Sequence, residues 1–453
     1  MGHVHGIARP PRALTAGVSL SLSILFVVVY GATGWLTSLR ANVGTWSFAW
    51  ERSLPFVPWL VVPYISLDLL FVVAPFLCAD RAELQVFRKR MTAAILAAGA
   101  MFVAMPLQFA YPRPHVAGWT APLFGALHAF DRPYNLFPSL HIAILLILAG
   151  TYDRHTHGLL RWSVRVWFGL VGLSTVLIGQ HHVIDVAGGA ALALCCCYAI
   201  ADERRTPQPV TRNPRIGTYY AGGVVLLAVV GSRLGPWGLP LLWPAVSMTI
   251  VAGAYFGLYA GVGRKVDGRL PLSARLVLAP WLAVQHLSLL HYCRQAAAWN
   301  EVAPRLWMGR QLRGLDADIA VKQGVSAVLD LTGEFSEARS FRSLAYLNLP
   351  VLDLTAPTAG QVRAALDFIN AQRTRGVVYV HCKIGYSRSA AVVGCWLLDA
   401  GIARTPEEAV AVMRRVRPTL VVRSEAYAAL CGFSTSERAT SAPQPGQLIE
   451  ART

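Results

Sequence analysis

The chain has 453 residues, room for more than one domain. It is 55% hydrophobic and only 14% charged, with a mean hydropathy of +0.45, which excludes an ordinary soluble protein. The formal net charge of +17 does not point to nucleic acid, because the basic residues lie in short loops beside apolar runs and not on one soluble, aromatic-interleaved face.

Runs long enough to cross a bilayer fall near 13–35, 55–78, 92–110, 139–152 (short, extended backwards), 163–180, 183–201, 216–232 and 241–262. The segment 273–292 is weakly hydrophobic and suits a helix lying in the interface. The first run lacks a small-residue cleavage site and reads as an anchor, not a signal peptide. Arg9 and Arg12, then Arg81, Arg88, Lys89 and Arg90, Arg154, Arg161 and Arg165, Arg204, Arg205, Arg212 and Arg215, and finally Arg264, Lys265 and Arg269 occupy alternate loops. By the positive-inside rule these loops are cytoplasmic, so the N-terminus and everything after the eighth span face the cytoplasm. The first fold expectation is therefore an all-α polytopic membrane bundle of about eight spans. The eight cysteines form no framework and no Cys-x2-Cys pair, so neither disulfides nor a zinc site is expected.

Two groups near span ends carry chemistry. Phe137-Pro138-Ser139-Leu140-His141 opens one span, and Gly179-Gln180-His181-His182-Val183-Ile184-Asp185 follows forty residues later, on the same non-cytoplasmic side. His181 and Asp185 are four apart, the spacing of neighbours on one helical face, where a carboxylate holds an imidazole tautomer and raises its basicity. Ionisable residues at membrane depth are candidates for function. The pattern resembles the type 2 phosphatidic acid phosphatase family, in its inositolphosphotransferase-like branch. That resemblance implies a metal-free phosphohistidine mechanism with His181 as nucleophile, Asp185 as its orienting partner, His141 as general acid and Ser139 as a phosphate donor. Thr175 and Pro106 stand where the family has basic residues, and Arg113, Arg132 or His182 are the available substitutes. His155 and His157 read as solvated loop residues.

After a linker at 264–299 comes an α/β pattern. Helical spacing over 361–373 leads into the β-rich Gly376-Val377-Val378-Tyr379-Val380, and Pro406 to Arg415 reads as a further helix. Between them lies His381-Cys382-Lys383-Ile384-Gly385-Tyr386-Ser387-Arg388-Ser389. A cysteine, five residues and an arginine between a strand and a helix can curl their backbone N–H groups around an anion. The helix adds its positive end, and a cysteine in such surroundings ionises below its free value of about 8.5. Arg388 supplies a planar fork for two phosphoryl oxygens. Lys383, Gly385 and Ser387 belong to the same phosphate ring.

This stretch resembles the dual-specificity branch of the cysteine phosphatases over about residues 300–433. The resemblance implies an α/β cysteine-phosphatase domain, with a central sheet flanked by helices, and a phosphocysteine intermediate at Cys382. Asp353, 29 residues upstream, matches the general acid, and Ser389 the hydroxyl that helps the thiolate leave. Asp330 and Glu334 are rival acids, Asp330 more in keeping with a turn cap. Lys383 and Asp353-Leu354-Thr355-Ala356-Pro357 are similar to the lipid-directed, phosphatidylglycerophosphate-type members. The resulting division is 1–54 first span, 55–205 phosphatidic acid phosphatase-like domain, 206–263 additional spans, 264–299 linker, 300–433 dual-specificity phosphatase domain and 434–453 disordered tail. As a whole the chain looks like bacterial fusions of these two domain types. The resemblance implies a phosphomonoester hydrolase of the bacterial inner membrane, needing no cofactor or metal, that acts on a phospholipid or a phosphoprotein. A lipid head-group phosphotransferase is the alternative of another class.

Overall fold

The computed structural model describes residues 9–112, 115–201 and 211–441. The chain divides into two compact units, Met1–Arg205 and Thr206–Thr453. The additional spans placed at 206–263 therefore belong with the C-terminal phosphatase-like region.

The first unit is helical: α1 Arg12–Ser38, α2 Val61–Val73, α3 Arg81–Ala104, α4 Ala121–Phe130, α5 Leu140–His155, α6 Gly158–Leu177 and α7 Val183–Ala199. Its core includes small and branched residues at helix contacts, among them Ala94 and Ala98 of α3, Ala143 and Leu148 of α5 and Val171 of α6, all fully buried. Such residues let helices approach closely without a hydrophobic drive between them. The sharpest case is Gly189, where an added Cβ would lie 2.3 Å from the Ser139 carbonyl oxygen. That approach sets the start of α5 against the start of α7.

Two boundaries differ from the sequence reading. The span near 92–110 is the second half of a helix that begins at Arg81, because Asp80 caps it by accepting from the Glu83 N–H at 2.8 Å. That helix stops at Ala104, before Pro106, which cannot continue it. The helix α4 lies in a stretch with no span assigned to it.

In the second unit α8 Pro214–Leu234 and α9 Leu242–Tyr255 form a hairpin, followed by α10 Leu272–Val277 and α11 Ala279–Tyr292. The segment 273–292 is thus two helices, broken just before Pro280. Among the described residues, four segments are long and apolar enough to cross a membrane: Arg12–Ser38, Pro58–Leu77, Pro214–Leu234 and Trp237–Tyr255. Val183–Ala199 is apolar but shorter.

The α/β region holds β1 Trp299–Ala303, β2 Leu306–Gly309, α12 Leu315–Lys322, β3 Val325–Asp330, α13 Arg339–Arg342, β4 Ala345–Asn348, α14 Ala359–Arg373, β5 Val377–His381, α15 Ser387–Asp399, α16 Pro406–Val416 and α17 Ser424–Ser441. The sheet order is β1-β2-β5-β3-β4, with β1 antiparallel to β2 and the remaining pairs parallel. Helices cover a continuous core of Leu306, Leu329, Val380, Val393, Trp396 and Ile369. Central β5 ends at His381, so Cys382 emerges at the carboxyl ends of the parallel strands, where open α/β sheets hold their ligands. The helix α17 runs to Ser441, beyond the expected start of a disordered tail at 434. Its turns continue through Thr435, whose hydroxyl donates to the Cys431 carbonyl at 3.1 Å. Residues 442–453 lie outside the described part.

Candidate active sites

In the second unit the loop from Cys382 curls back on Gly385, which has φ +75°. A Cβ there would fall 2.4 Å from the Gly309 carbonyl carbon, so both the dihedral and the space require glycine. Arg417, buried, donates to the Ile384 carbonyl at 2.8 Å and to Asn300 Oδ1 at 2.7 Å, and so clamps the loop from behind. The Ser387 hydroxyl accepts from the Arg423 N–H at 2.8 Å. Its side chain is a strut that ties the loop to Arg423.

Cys382 is 3% exposed. Burial opposes its ionisation, but the Arg388 guanidinium and the Ser389 hydroxyl, donating to Sγ at 3.1 Å, hold its pKa below the ordinary thiol value. Arg388 is itself buried and held as a fork by Glu334, with Nη2–Oε1 at 2.6 Å and Nη1–Oε2 at 3.1 Å. Nη1 also donates to the Val351 carbonyl at 2.9 Å. Glu334 is therefore the carboxylate that orients Arg388, not a proton donor to a leaving group. Sequence reasoning had the residue but not its role. The signal was available, since a buried guanidinium demands a buried carboxylate.

Asp353 lies opposite. Burial raises its pKa, but Arg388 at 3.5 Å and the Lys383 ammonium at 2.5 Å hold it well below the usual carboxylate range. Lys383 donates as well to Gln285 Oε1 at 3.0 Å. Asp330 is fully buried and accepts from the Thr332 N–H at 2.8 Å, the Thr332 hydroxyl at 2.7 Å, the Tyr346 hydroxyl at 2.6 Å and the Lys265 ammonium. It caps a turn and neutralises a buried lysine. Asp330, Glu337 and His381 present ligand atoms close together. However, the Lys265 ammonium already sits on Asp330, and His381 Nε2 pairs with Glu337 at 2.8 Å. Burial lowers the His381 pKa, but these two carboxylates raise it above the ordinary value, as a structural imidazolium requires. The cluster is internally neutralised and does not need a metal.

The first unit gathers His141 and His181 on one cavity of about 60 Å³, shared with Tyr64, Asp68, Asp131 and Asn135. The His141 ring stacks on Tyr64 at 4.0 Å. His181 does not lie on a helix: α7 starts at Val183, and His181 faces Asp185 across the helix start, Nδ1 to Oδ2 at 3.7 Å. That separation is too long for a hydrogen bond. Asp185 Oδ2 instead caps α7 by accepting from the His182 N–H at 2.8 Å. His141 Nε2, His181 Nδ1 and Asp185 Oδ1 are buried without a hydrogen-bond partner among the described residues.

The Ser139 hydroxyl accepts from the Ile142 N–H at 3.3 Å as the cap of α5. The substitutes for the missing basic residues lie elsewhere. Arg132 is exposed and donates to the Ser38 hydroxyl at 3.0 Å, and His182 pairs with buried Glu51 at 2.8 Å. Arg113 lies outside the described residues. Thr175 lies in the last turn of α6, its carbonyl accepting from the His181 N–H at 2.9 Å. Glu51, outside the expected 55–205 domain, is a site-supporting residue that the motif did not reveal.

Comparison with known proteins finds a family match in part of each unit. A family model described as the PAP2 superfamily matches residues 37–199, and one described as the dual specificity phosphatase catalytic domain matches residues 306–436. The chain joins a PAP2-superfamily domain to a dual-specificity phosphatase domain. Glu51 falls inside the PAP2 match.

Among curated relatives, the chain is 27% identical over 136 residues to the human phosphatidylglycerophosphatase and protein-tyrosine phosphatase 1, covering 28% of this chain and 67% of that protein. It is 30% identical over 131 residues to the Arabidopsis thaliana phosphatidylglycerophosphate phosphatase PTPMT2, covering 27% of this chain and 57% of the relative. A Schizosaccharomyces pombe tyrosine-protein phosphatase CDC14 homolog is 27% identical over 128 residues, 28% of this chain and 24% of its own length. Thus the chain spans from about a quarter to two thirds of these relatives. Of solved structures, PTPMT1 in complex with PI(5)P aligns at 21% identity and a TM-score of 0.30, over 32% of this chain and 100% of that one.

Proposed function

We propose that this protein is a membrane-bound phosphoric monoester hydrolase whose dual-specificity phosphatase domain works through a phosphocysteine. The observation that carries the reading is the Cys382 sulfur, hydrogen-bonded by Ser389 and faced by a guanidinium that Glu334 holds in a fixed plane. In the first step Sγ attacks phosphorus, the bond to the leaving oxygen breaks, and Asp353 gives its proton to that oxygen. In the second, Asp353 takes a proton from water as the water oxygen attacks phosphorus. The P–S bond breaks, Cys382 leaves as the thiolate stabilised by Ser389, and the net products are alcohol and inorganic phosphate. Asp353 must be protonated for the first step. A bound phosphate dianion draws Arg388 and Lys383 to itself and repels the carboxylate, which raises the pKa that these cations hold down in the free site.

The substrate we infer is a phospholipid with a terminal phosphomonoester. Support comes from Lys383 beside the general acid, from apolar helices in the same unit, and from relatives named for phosphatidylglycerophosphate. Tethering to the bilayer raises the effective concentration of such a substrate. The alternation of basic loops supports a cytoplasmic side for this domain. For the PAP2 domain we propose a second, phosphohistidine-type centre with His181 as nucleophile and His141 as acid, its two histidines sharing one cavity.

Phosphate release from vesicles containing phosphatidylglycerophosphate or phosphatidic acid, and from a tyrosine phosphopeptide, tests the reading with wild type, Cys382→Ser and His181→Ala. Loss of phosphatidylglycerophosphate hydrolysis in Cys382→Ser alone is expected. Full activity of Cys382→Ser on every substrate sinks the phosphocysteine, and preference for the phosphopeptide sinks the lipid substrate. Head-group transfer that needs an acceptor and His181, without phosphate release, would replace the hydrolytic reading of the PAP2 domain.

A further inference from the structure

The loop carrying Asp353 has almost no free backbone. The Pro350 carbonyl accepts from Gln361 at 3.1 Å, Val351 from Arg388 at 2.9 Å, and Leu352 from the Thr355 hydroxyl at 2.9 Å. The next donors come from the helical hairpin that precedes the phosphatase domain. The Tyr255 hydroxyl, on the last residue of α9, donates to the Asp353 carbonyl at 2.8 Å. Asn213 Nδ2, capping α8, donates to the Leu354 carbonyl at 2.8 Å, and the Thr211 hydroxyl donates to Ala356 at 2.6 Å. Between these contacts Leu354 sits at φ +58°, a left-handed conformation that a leucine keeps only where its surroundings enforce it.

The hairpin donors are themselves fixed. The Tyr255 ring stacks on Tyr220 of α8 at 5.7 Å and 14°, and Trp281 Nε1 of α11 donates to the Tyr220 hydroxyl at 3.1 Å. Four residues on, Gln285 of α11 holds the Lys383 ammonium that grips the Asp353 carboxylate. Leu289 of α11 packs with Ile384 of the phosphate loop and with Phe335 beside Glu334. Asp353 is thus held by its backbone through α8 and α9 and by its carboxylate through α11. A structure that merely attached the domain to its helices would have no need to converge on one aspartate.

We propose that the α8–α9 hairpin and α11 are the positioning frame of the general acid, with Tyr255 as the principal positioning residue. Through this frame, proton donation to the leaving oxygen depends on the apolar helices, whereas attack by Cys382 does not. The inference rests on the phosphocysteine reading above and deepens it: the acid of this site is aligned by helices that a free-standing catalytic domain does not contain.

Leaving-group dependence separates positioning from general damage, because an aryl phosphate with an acidic phenol departs without a proton and an alkyl phosphate does not. The full chain in vesicles or detergent is assayed for kcat/KM on both, as wild type, Tyr255→Phe, Thr211→Val, Asp353→Asn and Tyr255→Phe/Asp353→Asn. In Tyr255→Phe the alkyl phosphate is expected to lose about 10-fold, part of the roughly 10²–10⁴-fold a general acid supplies, with the aryl phosphate within about twofold. Thr211→Val should show the same asymmetry, smaller, and the double variant should be no slower than Asp353→Asn. Equal losses on both substrates, unchanged alkyl turnover in both hairpin variants, or additive losses in the double variant overturn the proposal. Cys382→Ser serves as the separate control, since its retained activity would overturn the phosphocysteine reading instead.

Discussion

The two centres handle charge in opposite ways. Around Cys382 four cations meet counter-ions, Arg388 with Glu334, His381 with Glu337, Lys265 with Asp330 and Lys383 with Asp353, while buried Arg417 is held by the neutral oxygens of Asn300, Ala297 and Ile384. Around His141 and His181 two further carboxylates line the cavity, and four polar atoms, Asn135 Oδ1, His141 Nε2, His181 Nδ1 and Asp185 Oδ1, have no hydrogen-bond partner among the described residues. Charge pairing makes the first network rigid and preorganised, although Arg388 Nε and Arg417 Nε have no hydrogen-bond partner among the described residues, whereas the second has yet to be charge-paired. The thiol centre is built to meet a dianion as it stands, with cations already aligned. The histidine centre lacks aligned cations among its described residues, so a phosphate there must be neutralised by groups that the PAP2 pattern does not place at 106 or 175.

The largest expected effect comes from breaking the thiol network at its base. Lys265→Met removes the ammonium from fully buried Asp330 and should cost about 3–5 kcal/mol of stability, seen as a lower unfolding midpoint. The pH dependence has a definite sign. Burial opposes the Asp330 charge, but Lys265 and His381 hold its folded pKa below the unfolded value. The wild-type pair therefore stabilises above the unfolded carboxylate value of about 3.9 and fades as pH falls through the folded one. If the midpoint of Lys265→Met matches wild type at pH 7, the balanced picture of this network is wrong.

Next comes Arg388→Lys. Lysine keeps the charge but not the fork that meets both Glu334 oxygens, so kcat/KM should fall by roughly 10²–10³, the cost of losing one preorganised transition-state donor. A loss under about fivefold would mean that the aligned guanidinium, the chief difference between the two centres, matters little.

How far these features could be read in advance depended on sequence distance. The strand, Cys382, Gly385, Arg388 and Ser389 lie within a few residues, and their chemistry is local. Ser139 and His141 were equally plain. By contrast Glu334 reaches Arg388 across 54 positions and Tyr255 reaches Asp353 across 98, partners that no periodicity encodes. Asp353 was expected from the resemblance to the dual-specificity phosphatases, but not the lysine on its carboxylate or the left-handed leucine after it. In the PAP2 domain the i, i+4 spacing suggested a helical His181–Asp185 pair. The helix begins two residues after His181, because Asp185 caps the His182 N–H.

A smaller effect bears on the thiolate. Ser389→Ala removes one charge-assisted hydrogen bond, worth about 1.5–3 kcal/mol, so the pH midpoint for alkylation of Cys382 by iodoacetate should rise by roughly one to two units. Reaction below the new midpoint slows accordingly, while Arg388 keeps part of the depression. An unmoved midpoint would assign the low thiol pKa to Arg388 and the loop backbone alone.

The smallest expected effect tests whether the comparison describes two centres or one. His181→Ala removes the proposed nucleophile of the PAP2 domain and touches none of the ion pairs around Cys382. Its Cys382-dependent hydrolysis of a water-soluble aryl phosphate should stay within about twofold of wild type, inside the scatter expected for sites without shared partners. On a bilayer substrate the same variant reports something else. If phosphatidylglycerophosphate hydrolysis falls while aryl phosphate turnover holds, the PAP2 cavity supplies or retains the lipid for the thiol centre. If both fall together, the two centres are energetically coupled, and the contrast between a finished and an unfinished phosphate site would have to be redrawn as two parts of one device.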